Sequence, residues 1–194
     1  MNYEIDRTSA LIVVDVQKDF CSGGNLQVPD GDEIVPVLNR YIRKFEEAGA
    51  QIYATRDWHP SNHISFKSQS GPWPPHCIQN TEGAEFHKDL LIPKSTIIVS
   101  KANPLKEVYS GFDETNLEED LKRKSIRRVY VGGLATDYCV KNTVLDALKL
   151  GFETVLLKDA IRGVNVRTND SERAVEEMKA KGVRIIKNIN SITK

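Results

Sequence analysis

Cysteine is scarce: only Cys21, Cys77 and Cys139 occur in 194 residues. The number is odd and no CxxC pair exists, which argues against a disulfide framework and a thiolate zinc site and leaves at least one thiol free. Long apolar runs are missing too, since none approaches the roughly 18 residues of a membrane span. The opening MNYEIDRTSA lacks the charged-then-apolar layout of a signal peptide. A cytoplasmic protein with no membrane partner is therefore expected. Neither charge is in excess, with 27 Lys and Arg against 27 Asp and Glu. No basic stripe offers itself to nucleic acid or acidic lipid, so small neutral ligands are the expected partners. Internal repeats, low-complexity tracts and linkers are also absent, and the length suits one domain over residues 1–194. Exposed helix faces leave room for a homo-oligomer.

What is present alternates between strand and helix. Ser9–Val14 (SALIVV) is a short apolar run of the kind a strand buried on both faces carries. Residues 32–48 place Ile34, Val37, Leu38, Tyr41, Ile42 and Phe45 at helical spacing, with Gly49 as the C-cap. The next strand, 51–55, completes a βαβ unit. Further strands are expected at 96–100, 128–132, 154–157 and 183–186, and helices at 117–124, 136–150 and 171–181. Residues 56–93 and 102–116 are broken by Pro, Gly, His and Asn, and long irregular loops in a compact domain are usually functional. The pattern specifies a doubly wound, three-layer α/β sandwich with a six-stranded, mostly parallel sheet.

In such a sheet the carboxyl ends of the strands share one edge, and ligands bind there. Those ends carry Asp15, the stretch Arg56-Asp57-Trp58-His59, Lys101, and the segment YVGGLATDYCV that leads to Cys139. Each has a plain reading alone: Asp15 as a loop anchor, Lys101 as a solvated lysine, Cys139 as a small residue under a helix. Together they make chemical sense. Gly132 and Gly133 are expected to reverse the chain and Thr136 or Asp137 to cap the next helix, which puts Cys139 in its first turn, where thiolate is favoured. Lys101 nearby lowers the thiol pKa further, and Asp15 can take its proton and later activate water. No histidine lies near strands one, three or four to compete for that role.

The loop after the second strand carries a second signal. Asp57, His59, His63 and His76 form a borderline-hard donor set suited to zinc, iron or manganese, and they equally suit hydrogen bonding within a polar loop. His87, in EFHKDL, reads as a surface residue. Phe20 and Trp73, in glycine- and proline-rich loops on the same rim, read as pocket walls before core plugs.

Five segments carry a resemblance: VDVQKDFCSGG, TRDWHPSNHISF, GPWPPHC, Lys101 after its strand, and GGLATDYCV. In these the chain resembles the nicotinamidase (pyrazinamidase) branch of the isochorismatase-like cysteine hydrolases. The resemblance implies a six-stranded parallel sheet and a catalytic triad of Asp15, Lys101 and Cys139. It implies one divalent metal on Asp57, His59 and His76 with His63 nearby, zinc first and iron or manganese next. Backbone amides of Ala135 and Cys139 as an oxyanion hole, a cis peptide before Ala135, and Phe20, Trp73, Ala135 and Tyr138 against the substrate are implied as well. The activity implied is hydrolysis of nicotinamide to nicotinic acid and ammonia through a cysteine thioester, with pyrazinamide as a second substrate. Hydrolysis of another small amide or N-carbamoyl compound, or a non-catalytic binding protein on the same fold, stay open as alternatives. The segment ANPLKEVYSGF fits loosely and leaves the place of Tyr109 undecided.

Overall fold

The structure, a computed structural model, describes residues 3–193. Its strands are β1 (Tyr3–Glu4), β2 (Ser9–Val14), β3 (Gln51–Asp57), β4 (Ile97–Lys101), β5 (Arg128–Leu134), β6 (Glu153–Arg162), β7 (Arg184–Ile186) and β8 (Ile192–Thr193). Its α-helices are α1 (Ile34–Glu47), α2 (Leu117–Arg123), α3 (Lys141–Lys149) and α4 (Asp170–Ala180). Six strands form one sheet in the order β4-β3-β2-β5-β6-β7, and every neighbouring pair is parallel. β1 and β8 form a separate two-stranded pair.

The alternation along β2 explains the three layers. Leu11 and Val13 share a core with Leu38, Ile42 and Phe45 of α1. Ala10, Ile12 and Val14 face the other way, into a core with Leu121 of α2, Val144 of α3 and Met178 of α4. No side chain caps the start of α1. A cap would add only about 1 kcal/mol, against about 1.5–3 kcal/mol for each large side chain buried, so the packed stripe holds this helix. Gly49, at φ +65°, ends it as expected. Among the described residues no helix is long and apolar enough to cross a membrane.

The chain builds outward from β2 through β3 to β4, then returns to β2's other side and builds outward again through β5, β6 and β7. That reversal lies between β2 and β5, whose carboxyl ends flank the crevice where such sheets take ligands.

Three local expectations are corrected. The glycine pair does not reverse the chain, because Gly132 and Gly133 are the fifth and sixth residues of β5. Gly133 is needed there for approach: its φ is +130°, and a Cβ would stand 2.1 Å from the Val14 carbonyl oxygen. Neither Thr136 nor Asp137 caps the helix. Thr136–Val140 instead forms a wide, π-type turn ahead of α3, and Cys139 sits in that turn. The Asp137 carboxylate accepts from the Val164 and Asn165 amides at 2.9 and 2.8 Å, tying down the segment after β6. β6 also runs to Arg162, well past the expected residue 157. Polar Lys158 and Asp159 break its apolar run, the β5–β6 register shifts between Val131 and Gly133, and pairing resumes at Gly133 opposite Ile161.

Candidate active site

Asp15 is the first residue beyond β2 and adopts a left-handed backbone, φ +48°. Thr55, in neighbouring β3, donates its hydroxyl to Asp15 Oδ1 at 2.6 Å. Lys101 is the last residue of β4, and its Nζ reaches Asp15 Oδ2 at 2.6 Å, Asp57 Oδ1 at 2.8 Å, Cys139 Sγ at 3.3 Å and the Tyr109 carbonyl at 3.2 Å. One oxygen each of Asp15 and Asp57 and the Cys139 sulfur all lie within 4.8 Å of one another. All four side chains are buried.

A buried ammonium alone would be very costly. Burial opposes the charge of Lys101, but Asp15, Asp57 and Cys139 more than offset it and hold the lysine well above its usual pKa. For Asp15, burial outweighs the pull of Lys101, and with the like charge of Asp57 it lifts the carboxyl above the usual range. Asp57 keeps its charge: burial works against it, yet Lys101 brings it below that range. The thiol departs from expectation. Burial, with the two carboxylates, outweighs Lys101 and raises Cys139 well above an ordinary cysteine, so its activation calls for a base beside it.

Asp57 ends β3 directly opposite Lys101. Gln17 fixes it, accepting from the Asp57 amide at 2.7 Å while donating to the Asp57 carbonyl at 2.7 Å and to that of Ala84 at 2.9 Å. His59 is held by its backbone, donating to Cys77 O and accepting from the Gln79 amide. His76 Nδ1 lies 2.8 Å from the Pro74 carbonyl. Since a carbonyl only accepts, Nδ1 carries the proton and Nε2 presents a lone pair, an arrangement common among metal-bound histidines. Asp57, His59 and His76 place one donor atom each within 4.8 Å of the others.

These residues fit a cation. Both ring nitrogens of His59 are buried without a hydrogen-bond partner, and Asp57 Oδ1 faces Lys101 without an aligned hydrogen bond. Orphaned buried polar atoms cost about 1–3 kcal/mol each, and an ion among the three would relieve one His59 nitrogen. His63 stands apart. Its Nδ1 meets Ser65 Oγ at 2.7 Å and its Nε2 the Asn103 carbonyl at 2.8 Å, and its ring lies against that of His59, tilted by 31° with centroids 4.1 Å apart. Both nitrogens are engaged, so the four-residue donor set divides three and one.

Cys139, Asp57 and His76 open onto one narrow cavity. Phe20, Trp73, Ala135 and Tyr138 line it, joined by Glu107 and Tyr109. Trp73 donates its indole N–H to the Tyr109 hydroxyl at 3.3 Å and meets Tyr138 edge-on at 5.3 Å. The Leu134–Ala135 peptide is cis. Gln17 lies inside the VDVQKDFCSGG segment, but nothing local shows that its side chain reaches residues 57 and 84, and Glu107, in an irregular loop, carries no periodic signal. Tyr109, left undecided, is a cavity wall.

A parallel sheet that brings a buried thiol, an acid and an ammonium to one edge, beside a candidate metal centre, has the architecture of an α/β cysteine hydrolase. The chain belongs to the isochorismatase family, whose Isochorismatase domain model matches residues 9–189. It is 44% identical to the nicotinamidase of Escherichia coli (strain K12), covering 89% of this chain and 92% of that one. Among solved structures it resembles the pyrazinamidase of Pyrococcus horikoshii in complex with zinc, at 56% identity and a TM-score of 0.89, over 92% of this chain and 98% of the other. An L. infantum structure in complex with nicotinate matches at 32% identity and a TM-score of 0.90, over 100% and 99%.

Proposed function

We propose that this chain, as one domain over residues 1–194, hydrolyses nicotinamide to nicotinic acid and ammonia, and pyrazinamide in the same way. The observation that carries the reading is one cavity lined by Cys139, Asp57 and His76, with Asp15 and Lys101 buried against Cys139 and His59 completing the donor cluster of Asp57 and His76. The aromatic ring is taken between Phe20 and Trp73, with Tyr138 and Ala135 completing the walls, so the carboxamide faces Cys139.

Asp15 removes the thiol proton, for which its raised pKa suits it. The sulfur attacks the carboxamide carbon, and the amides of Ala135 and Cys139 receive the developing oxyanion, each such donor being worth roughly 3 kcal/mol. Asp15 then gives its proton to the departing amine as the C–N bond breaks, leaving a thioester. Water, losing a proton to Asp15, breaks the C–S bond, and that proton returns to the sulfur. Lys101 keeps its charge throughout and balances Asp15 and Asp57. Asp57, His59 and His76 would hold a divalent ion, which when bound supplies an electrophilic anchor for the ring nitrogen. Zinc is the first choice, from the donor set and from its presence in the Pyrococcus horikoshii pyrazinamidase complex. The three cysteines are free, which suits a reducing, cytoplasmic setting.

The test is ammonia release from nicotinamide before and after chelation. Release that stops with chelator and returns with zinc supports the reading, and failure to release ammonia under any metal condition refutes it.

A further inference from the structure

A second group of donor side chains lies away from the catalytic cavity. Cys21 follows Phe20, Asp32 sits in the short 3-10 turn ahead of α1, and His87 is held by its amide on the Val16 carbonyl at 2.9 Å. One donor atom from each lies within 4.8 Å of the other two. Asp32 Oδ2 accepts from the Ser22 amide at 2.8 Å, and Oδ1 faces His87 Nε2 at 3.3 Å. Cys21 is buried, whereas His87 is half-buried at a cleft open to solvent that both residues line. His87 is thus no plain surface residue.

A cysteine–histidine nucleophile does not fit this group. His87 Nδ1 accepts from the Asp89 amide at 3.2 Å and Nε2 is turned to Asp32, so neither nitrogen is left to take the thiol proton. Burial and then the nearby Asp32 push the Cys21 thiol up to about 12, which makes it inert as a free thiol. A thiolate, an imidazole and a carboxylate converging from three chain segments suit a borderline-soft ion.

We propose that Cys21, Asp32 and His87 form a second metal site, taking zinc or a similar divalent ion with a fourth position open to cleft water. Loading releases one proton per ion net. The thiol proton goes to solvent, and the imidazole proton moves from Nε2 to Nδ1, which opens the 3.2 Å contact from Asp89. The ion staples the loop that follows Phe20 to the segment around His87, and so steadies one wall of the catalytic cavity.

Cobalt(II) is the probe, added to metal-free full-length protein. Cobalt bound to thiolate gives a near-ultraviolet charge-transfer band, which the Asp57, His59 and His76 set cannot give because it holds no sulfur. The band is expected in the parent chain and in Cys139→Ala, and is expected to vanish in both Cys21→Ala and His87→Gln as bound metal falls from two equivalents to one. A band that survives Cys21→Ala, or no band at saturating cobalt in the parent chain, overturns the proposal and leaves Asp32 and His87 as a polar contact between loops.

Discussion

Asp57 and Lys101 face each other across the β3–β4 ladder, and their side chains meet at 2.8 Å. Because the same ammonium also touches Asp15 and Cys139, one lysine joins the thiol centre to the candidate metal centre. The two parts of the site are therefore electrostatically one unit.

Replacing that lysine should damage fold and chemistry together. Lys101→Met leaves two buried carboxylates uncompensated, and breaking a buried pair in this way costs about 3–5 kcal/mol. Urea unfolding should register that loss and ammonia release should disappear. A variant of unchanged stability would mean that Asp15 and Asp57 do not depend on this charge. Lys101→Arg is not expected to rescue activity, since a planar guanidinium cannot replace a compact ammonium among four converging partners.

His59 and His63 should behave differently although their rings are in contact. His59→Ala removes a donor from the cluster and should strip bound metal. His63→Ala should keep the metal and lose only the contacts to Ser65 and Asn103, about 1–3 kcal/mol of stability if those partners are left unpaired. Metal analysis of the purified variants checks both, and equal metal loss in the two would place His63 among the ligands.

Gln17 is expected to act through Asp57. Gln17→Leu removes all three amide contacts that fix the end of β3 and its neighbour. Supporting contacts around a metal ligand are commonly worth about 10–100-fold in affinity, so zinc competition with a chromophoric chelator should register a weakening of that order. Unaltered zinc affinity would reduce Gln17 to a loop tie.

Gly133→Ala should be far worse than an ordinary glycine substitution, which shifts stability by roughly 1 kcal/mol. Its Cβ would be driven against Val14 in an unfavourable backbone region, so thermal unfolding should drop sharply or soluble expression fail. A near-normal melting temperature would show that β5 can move away from β2.

How much of this was legible in the sequence follows from what periodicity can carry. The buried strand Ser9–Val14, the stripe on α1 and the gathering of Asp15, Asp57, Lys101 and Cys139 at one edge all follow from apolar spacing and parallel topology. The far half of β6 was hidden because Lys158 and Asp159 interrupt its apolar run at the register shift. The upward shift of the Cys139 thiol was hidden because it depends on the balance of burial and two carboxylates against one ammonium. The clasp of Gln17 on Asp57 joins residues 40 apart, a contact no local pattern encodes.

The most direct measurement is mass spectrometry of protein quenched during turnover of nicotinamide or a slower analogue, followed by peptide mapping. The mechanism requires an acyl group on the peptide containing Cys139, absent from Cys139→Ala. An acyl group found only on Cys21 or Cys77, or turnover that persists in Cys139→Ala, would contradict it.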